Sequence, residues 1–138
     1  MEEKKNYIPA MIIILFAIII VLVGGLTNYK EEILKCNKAD DICKITKTNL
    51  FNMTNEKTLI KISDINDISY YAQRIKGNRY SKGYREYFLA FNTKNNEKIK
   101  IFSKSYYDKN ELNNAITELK EKIIKNFQNN EIEYNREN

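Results

Sequence analysis

The chain is 138 residues long, carries a formal charge of +5 and contains no histidine. The missing histidine excludes Ser-His-Asp and Cys-His catalysis, the HExxH metalloprotease helix and every zinc site built on imidazole. Four glycines and one proline leave no glycine-rich phosphate loop, and a bias to isoleucine, lysine and asparagine (21, 19 and 19 residues) means that lysine number alone says little.

Residues 1–29 form the first expected segment, an N-terminal tail and a transmembrane helix. No residue from Asn6 through Tyr29 is charged, and Ile8 to Leu26 reads IPAMIIILFAIIIVLVGGL, which as a helix extends roughly 28 Å, close to the thickness of a bilayer's hydrocarbon core. Tyr7 and Tyr29 flank it where amphipathic rings favour the interface, and Pro9 falls in the first turn. Lys4 and Lys5 ahead of the run suit a signal anchor. The rival is a cleaved signal peptide ending near Val23 or Gly25, for which the run is long. The expectation is therefore a single-pass protein of the cell membrane, with the bilayer as its integral partner. Its orientation is argued two ways. Lys30, Lys35, Lys38, Lys44 and Lys47 after the run place the remaining chain in the cytoplasm, whereas a bonded cysteine pair would place it outside, and the extracytoplasmic side is the one expected.

Residues 30–42 read as a polar juxtamembrane connector, with room for a last helical turn through Glu31, Glu32 and Leu34. Cys36 and Cys43 are the only cysteines. One cysteine pair without histidine supplies half a structural zinc site, and the six-residue spacer does not match a C-x-x-C redox motif. The spacing allows a local disulfide closing an eight-residue loop, worth about 2 to 3 kcal/mol in the chain-entropy model; two unpaired thiols are the alternative.

The folded domain is expected over residues 43–129. Strands are read at 43–51, 58–62, 68–75, 84–93 and 97–103, the last two joined by Lys94, Asn95 and Asn96 as the clearest hairpin. Tyr87, Leu89 and Phe91 should share one face, with Ile99 and Ile101 inward and Lys98 and Lys100 outward. Asp108 followed by Glu111 has capping-box spacing, and Leu112, Ala115, Ile116, Leu119, Ile123 and Phe127 recur at helical spacing. The polar tail 130–138 is expected to fray. The fold class that follows is α+β: a transmembrane helix, then a small antiparallel sheet closed by one C-terminal amphipathic helix.

Cys36 and Cys43, the turn Ile60, Asp64 and Ile65, the strand pair Tyr84 and Phe88, and the helix from Asp108 make a pattern over residues 36–128. It resembles the pleckstrin-homology-like part of small, uncharacterised bacterial membrane-anchored proteins. The resemblance implies that sheet-and-helix outline, no enzymatic activity and no agreed ligand.

The charge gathers in one place. Between residues 74 and 85 stand Arg74, Lys76, Arg79, Lys82 and Arg85 with no acid, and three of the four arginines of the chain lie here, interleaved with Tyr80 and Tyr84 and flanked by Tyr70, Tyr71 and Tyr87. Arginine pairs bidentately with phosphate or carboxylate, so Arg74, Lys76, Arg79, Tyr80, Lys82 and Arg85 are the candidate polyanion contact. The partners that fit are an anionic lipid surface, an acidic envelope polymer or a partner protein; nucleic acid is not expected, for want of a recognition helix or RNA-binding signature and because of the anchor. The bland alternative is a solvated hairpin loop. Asp40 with Asp41 and Asp64 with Asp67 suit turns, and Ser63, Ser69, Ser81, Ser103 and Ser105 show no activating partner. No catalytic residue, metal site or cofactor is expected. The function read from the sequence is a tethered, non-enzymatic binding module, against a thiol-disulfide redox protein using Cys36 and Cys43 or a structural subunit of a membrane complex.

Overall fold

The computed structural model describes residues 8–125 and 131–137. Helix α1 (Ile8–Thr27) leads into β1 (Tyr29–Asn37), β2 (Ile42–Asn49), β3 (Thr54–Lys61), β4 (Ile65–Ile75), β5 (Tyr84–Thr93) and β6 (Lys98–Lys100). Helix α2 (Lys109–Leu119) then runs on as a π-helical turn, Lys120–Lys125, and β7 (Glu131–Glu137) follows. The strands form two antiparallel sheets, ordered β3-β2-β1-β7 and β4-β5-β6.

The inward residues of both sheets and of α2 make one core, centred on Leu34, Ile45, Ile68, Leu89, Phe91 and Phe102. β5, the middle strand of its sheet, is buried on both faces from Phe88 to Phe91, as a strand with neighbours on each side can be. The β5–β6 turn is the expected hairpin. Asn96 takes the left-handed φ of 62° that Asn tolerates, and Thr93 N donates to the Glu97 carbonyl at 2.9 Å. Lys100 departs from expectation: it lies half-buried with Nζ 3.6 Å from the Phe88 ring centroid, and burial lowers its pKa. Helix α2 starts where the capping spacing put it, with Asp108 accepting from Asn110 N at 2.8 Å, and it buries Leu112, Ala115 and Leu119. Leu119 is fully enclosed. Leu119→Ala should cost about 2 to 4 kcal/mol in urea unfolding, and Glu121→Ala on the exposed face less than about 0.5 kcal/mol; equal small losses would show that α2 does not depend on its sheet.

Four expectations are corrected. The first is the transmembrane helix: among the described residues no helix is long and apolar enough to cross a membrane. The N-terminal helix to which this applies is α1. Its last turn also belongs to the domain, because Gly25 is buried under the Phe51 ring, where a Cβ would fall among the ring atoms. The single-pass cell-membrane location falls with it. The apolar side chains from Met11 to Val23 stand exposed. Second, the fold is not one small sheet closed by a C-terminal helix; it is mostly antiparallel strand in two sheets, with helices at both ends and a strand after the second. Third, residues 30–42 are no connector, since β1 occupies most of them and the domain begins at Tyr29 rather than near Cys43. Fourth, the tail is strand β7, paired along β1 from Glu31↔Glu137 to Asn37↔Glu131. Lys4, Lys5, Tyr7 and Phe127 lie outside the described residues.

Candidate functional site

The five cations of the 74–85 segment are brought together on the β4–β5 hairpin, whose strands pair from Ile65↔Thr93 out to Ile75↔Tyr84. From Ala72 to Arg85 every residue except Ile75 is exposed, so the end of the hairpin is an arm clear of the core. Aromatic contacts brace its root: Tyr70 meets Tyr87 edge-on at 5.6 Å and Tyr71 stacks on Phe88 at 5.3 Å. Thus Tyr70, Tyr71 and Tyr87 serve the sheet, while Tyr80 at the tip is 92 % exposed.

The tip is ordered by the Asn78 side chain. Asn78 Oδ1 accepts from Tyr80 N at 2.9 Å, Ser81 N at 2.9 Å and Ser81 Oγ at 3.0 Å. Two glycines let the chain cross itself below the tip. A Cβ on Gly77 would lie 2.5 Å from Gly83 N, and one on Gly83 would lie 2.7 Å from the Ile75 carbonyl oxygen, so neither position admits a side chain. This holds Arg79, Tyr80 and Lys82 outward on a hydrogen-bonded loop.

Lower on the arm, Arg74 lies directly opposite Arg85 in the ladder. Directly opposed residues share a face, where like charges are destabilising, and Glu86, the nearest acid in sequence, points to the other face with Gln73. Among the described residues no salt bridge or hydrogen bond engages the side chains of Arg74, Lys76, Arg79, Lys82 or Arg85. All six candidate contact residues therefore share one exposed arm.

Cys36 and Cys43 form a disulfide. They oppose each other across β1 and β2, which makes the bond a cross-strand staple, and both are fully buried. The acids serve structure. Asp41, at φ 54°, accepts from Ser63 N at 2.8 Å and Ser63 Oγ at 2.6 Å, bonds that hold its pKa low. Asp67 pairs with Lys120 at 2.8 Å, tying β4 to the end of α2, and that bond lowers its pKa. Among the described residues no group of three or more Cys, Asp or Glu could hold a metal ion.

Sequence reasoning missed a buried polar layer at the other end of the first sheet. Glu32, 2 % exposed, takes Lys47 Nζ at 2.7 Å, Ser103 N at 2.7 Å and the Ser103 hydroxyl. Burial alone pushes its pKa up, but the bonds from Lys47 and Ser103 outweigh that and hold it below the usual value. Lys47 also contacts the Ser103 hydroxyl. Opposite Glu32 in the ladder is Arg136, which donates to the carbonyls of Lys104 at 2.6 Å and Ser105 at 2.9 Å and stacks 3.5 Å from the Tyr106 ring centroid. Burial pushes the Tyr106 hydroxyl pKa well above its ordinary value. The layer clamps residues 103–106. The one sequence signal was alternation: positions 32, 34 and 36, and 132, 134 and 136, recur with period two once a charged residue is allowed inward. Compared with protein-family models, curated proteins and solved structures, the chain matches none of them.

Proposed function

We propose that the chain is a non-enzymatic binding module whose contact element is the β4–β5 arm, and that its partner presents clustered anionic groups. The observation that carries this reading is the Arg74 and Arg85 pair, opposed in the ladder without an acid on their face. Such a pair costs stability, and a phosphate or carboxylate set between the guanidinium groups would reverse the sign of that interaction. The ordered tip supports it further, since a loop already held in place loses less conformational freedom on binding. An anionic lipid surface, an acidic envelope polymer and an acidic protein face all supply this chemistry. The thiol-disulfide alternative has weaker support, because exchange needs an accessible sulfur and both sulfurs are enclosed.

The test is Arg74→Gln, Arg79→Gln and Arg85→Gln combined in the full chain. The binding probes are vesicles with and without anionic lipid, and soluble polyglutamate. Neutral vesicles measure what the apolar side chains of α1 contribute. The native chain should bind at least one anionic probe with an affinity that falls steeply with salt, and the triple variant should lose at least tenfold while unfolding at nearly the same urea concentration. Equal binding of native and triple-variant chains to every probe would reduce the arm to a solvated hairpin.

A further inference from the structure

Away from the arm, two sheet edges border a cleft. β3 is the outer strand of the first sheet and β6 the outer strand of the second, and no ladder joins them. Two hollows of about 210 and 260 Å³ lie between them, each lined by residues of both edges: Lys57, Leu59 and Lys100 in one, Leu59, Lys61 and Ile99 in the other. The first is floored by the buried Ile45, Ile101 and Phe102. β3 is itself unusual. Thr54 to Thr58 are exposed on both faces, so this half of the strand is held by its pairing with β2 while its outer edge carries unmet backbone donors and acceptors.

We propose that this cleft takes an extended acidic segment of a partner protein, which adds as a strand along the free edge of β3 and seats alternate side chains against the apolar floor. Strand addition draws its affinity from backbone hydrogen bonds and its selectivity from the side chains along the groove. Here those are lysines. Among the described residues no salt bridge occupies Lys57 or Lys61, and Lys100, on the facing edge, is partly desolvated over Phe88. Asp64 and Glu97 line the second hollow, whereas the first is lined by Lys57 and Lys100 and by no acid, which sets the acidic side chains of the occupant toward Lys57. A second copy of this chain is a poor occupant, because its own β3 would bring the same lysines edge to edge.

The probe is a fluorescein-labelled octapeptide of alternating Val and Glu, titrated with the full chain and followed by fluorescence anisotropy. The expected results are saturable binding weakened by salt, at least a tenfold loss in Lys57→Glu/Lys61→Glu, and protection of the 54–61 amides from hydrogen exchange in the complex. A peptide N-methylated at alternate positions should also lose at least tenfold in one of its two possible phases. The arm triple variant should bind this peptide as the native chain does, which separates failure here from failure of the arm. Absence of saturable binding would overturn the proposal, as would equal affinity for both N-methylated peptides. Because both lysines are exposed, the charge reversals leave the core untouched, and an unchanged urea midpoint verifies it.

Discussion

Glu32→Ala should destabilise the fold by about 3 to 5 kcal/mol, more than any substitution on the arm, because it strips a buried ion pair of one partner. The carboxylate serves Lys47, Ser103 N and the Ser103 hydroxyl together, so its loss leaves the segment after β6 without its tie to β1. Glu32→Gln keeps an acceptor and should lose less, about 1.5 to 3 kcal/mol, since it removes only the charge-assisted part. The pH dependence has a fixed sign. The Glu32 pKa in the fold lies below its ordinary 4.5, so its contribution is fully present above about pH 4.5 and is lost as pH falls through the lower folded value. In that window the unfolded chain binds the extra proton, which tilts stability by up to about 1.4 kcal/mol per pH unit. Asp41 and Asp67, also lowered, act in the same direction. Urea midpoints measured from pH 7 to pH 3 should therefore fall less steeply for Glu32→Gln than for the native chain; parallel curves would mean that Glu32 carries no special share of the acid limb.

That carboxylate also explains what could and could not be read in the chain. The strands β2 to β6 were legible as runs of β-favouring residues between polar turns, with Cys43 and Ile45 alternating inward in β2 and an apolar run from Phe88 to Phe91 in β5, and α2 because Asp108, Leu112, Ala115 and Leu119 combine a cap with a helical stripe. β1 and β7 were illegible for one shared reason: each turns a charge inward, Glu32 in one and Arg136 in the other, at the same rung. A pattern that scores charge as outward reads the first strand as connector and the second as fraying tail. The apolar run of α1 misled in the opposite sense. Its composition suggested a bilayer span, yet its last turn lies under Phe51, a contact made from 26 residues away that no local reading contains. The basic arm was visible as charge density, but the opposition of Arg74 and Arg85 and the self-crossing at Gly77 and Gly83 depend on register, which composition does not carry.

Arg136→Ala should cost about 3 to 5 kcal/mol, and the pattern of rescue says why. The guanidinium donates to two consecutive carbonyls, those of Lys104 and Ser105, while its plane lies on Tyr106. Ala leaves both carbonyls without these donors and opens a void beside an aromatic ring, which combines two separate losses. Lysine at this position keeps the charge and can reach one carbonyl, but a point ammonium cannot fork to two or stack as a plane, so Arg136→Lys should recover less than half of the stability. Methionine tests the remaining term: it refills the void without burying a charge, and if packing dominated it would outdo lysine. The fork predicts the order Arg, then Lys, then Met and Ala, in urea midpoints at pH 7. It also predicts that β7 loosens before the rest, with amide exchange at 131–137 accelerating in the Ala variant while that of β5 stays slow, because β7 is an edge strand and this side chain ties it to residues 104 and 105. A Met variant as stable as the native chain would instead show that Arg136 acts through bulk, and that the tie between β7 and residues 104–106 is incidental.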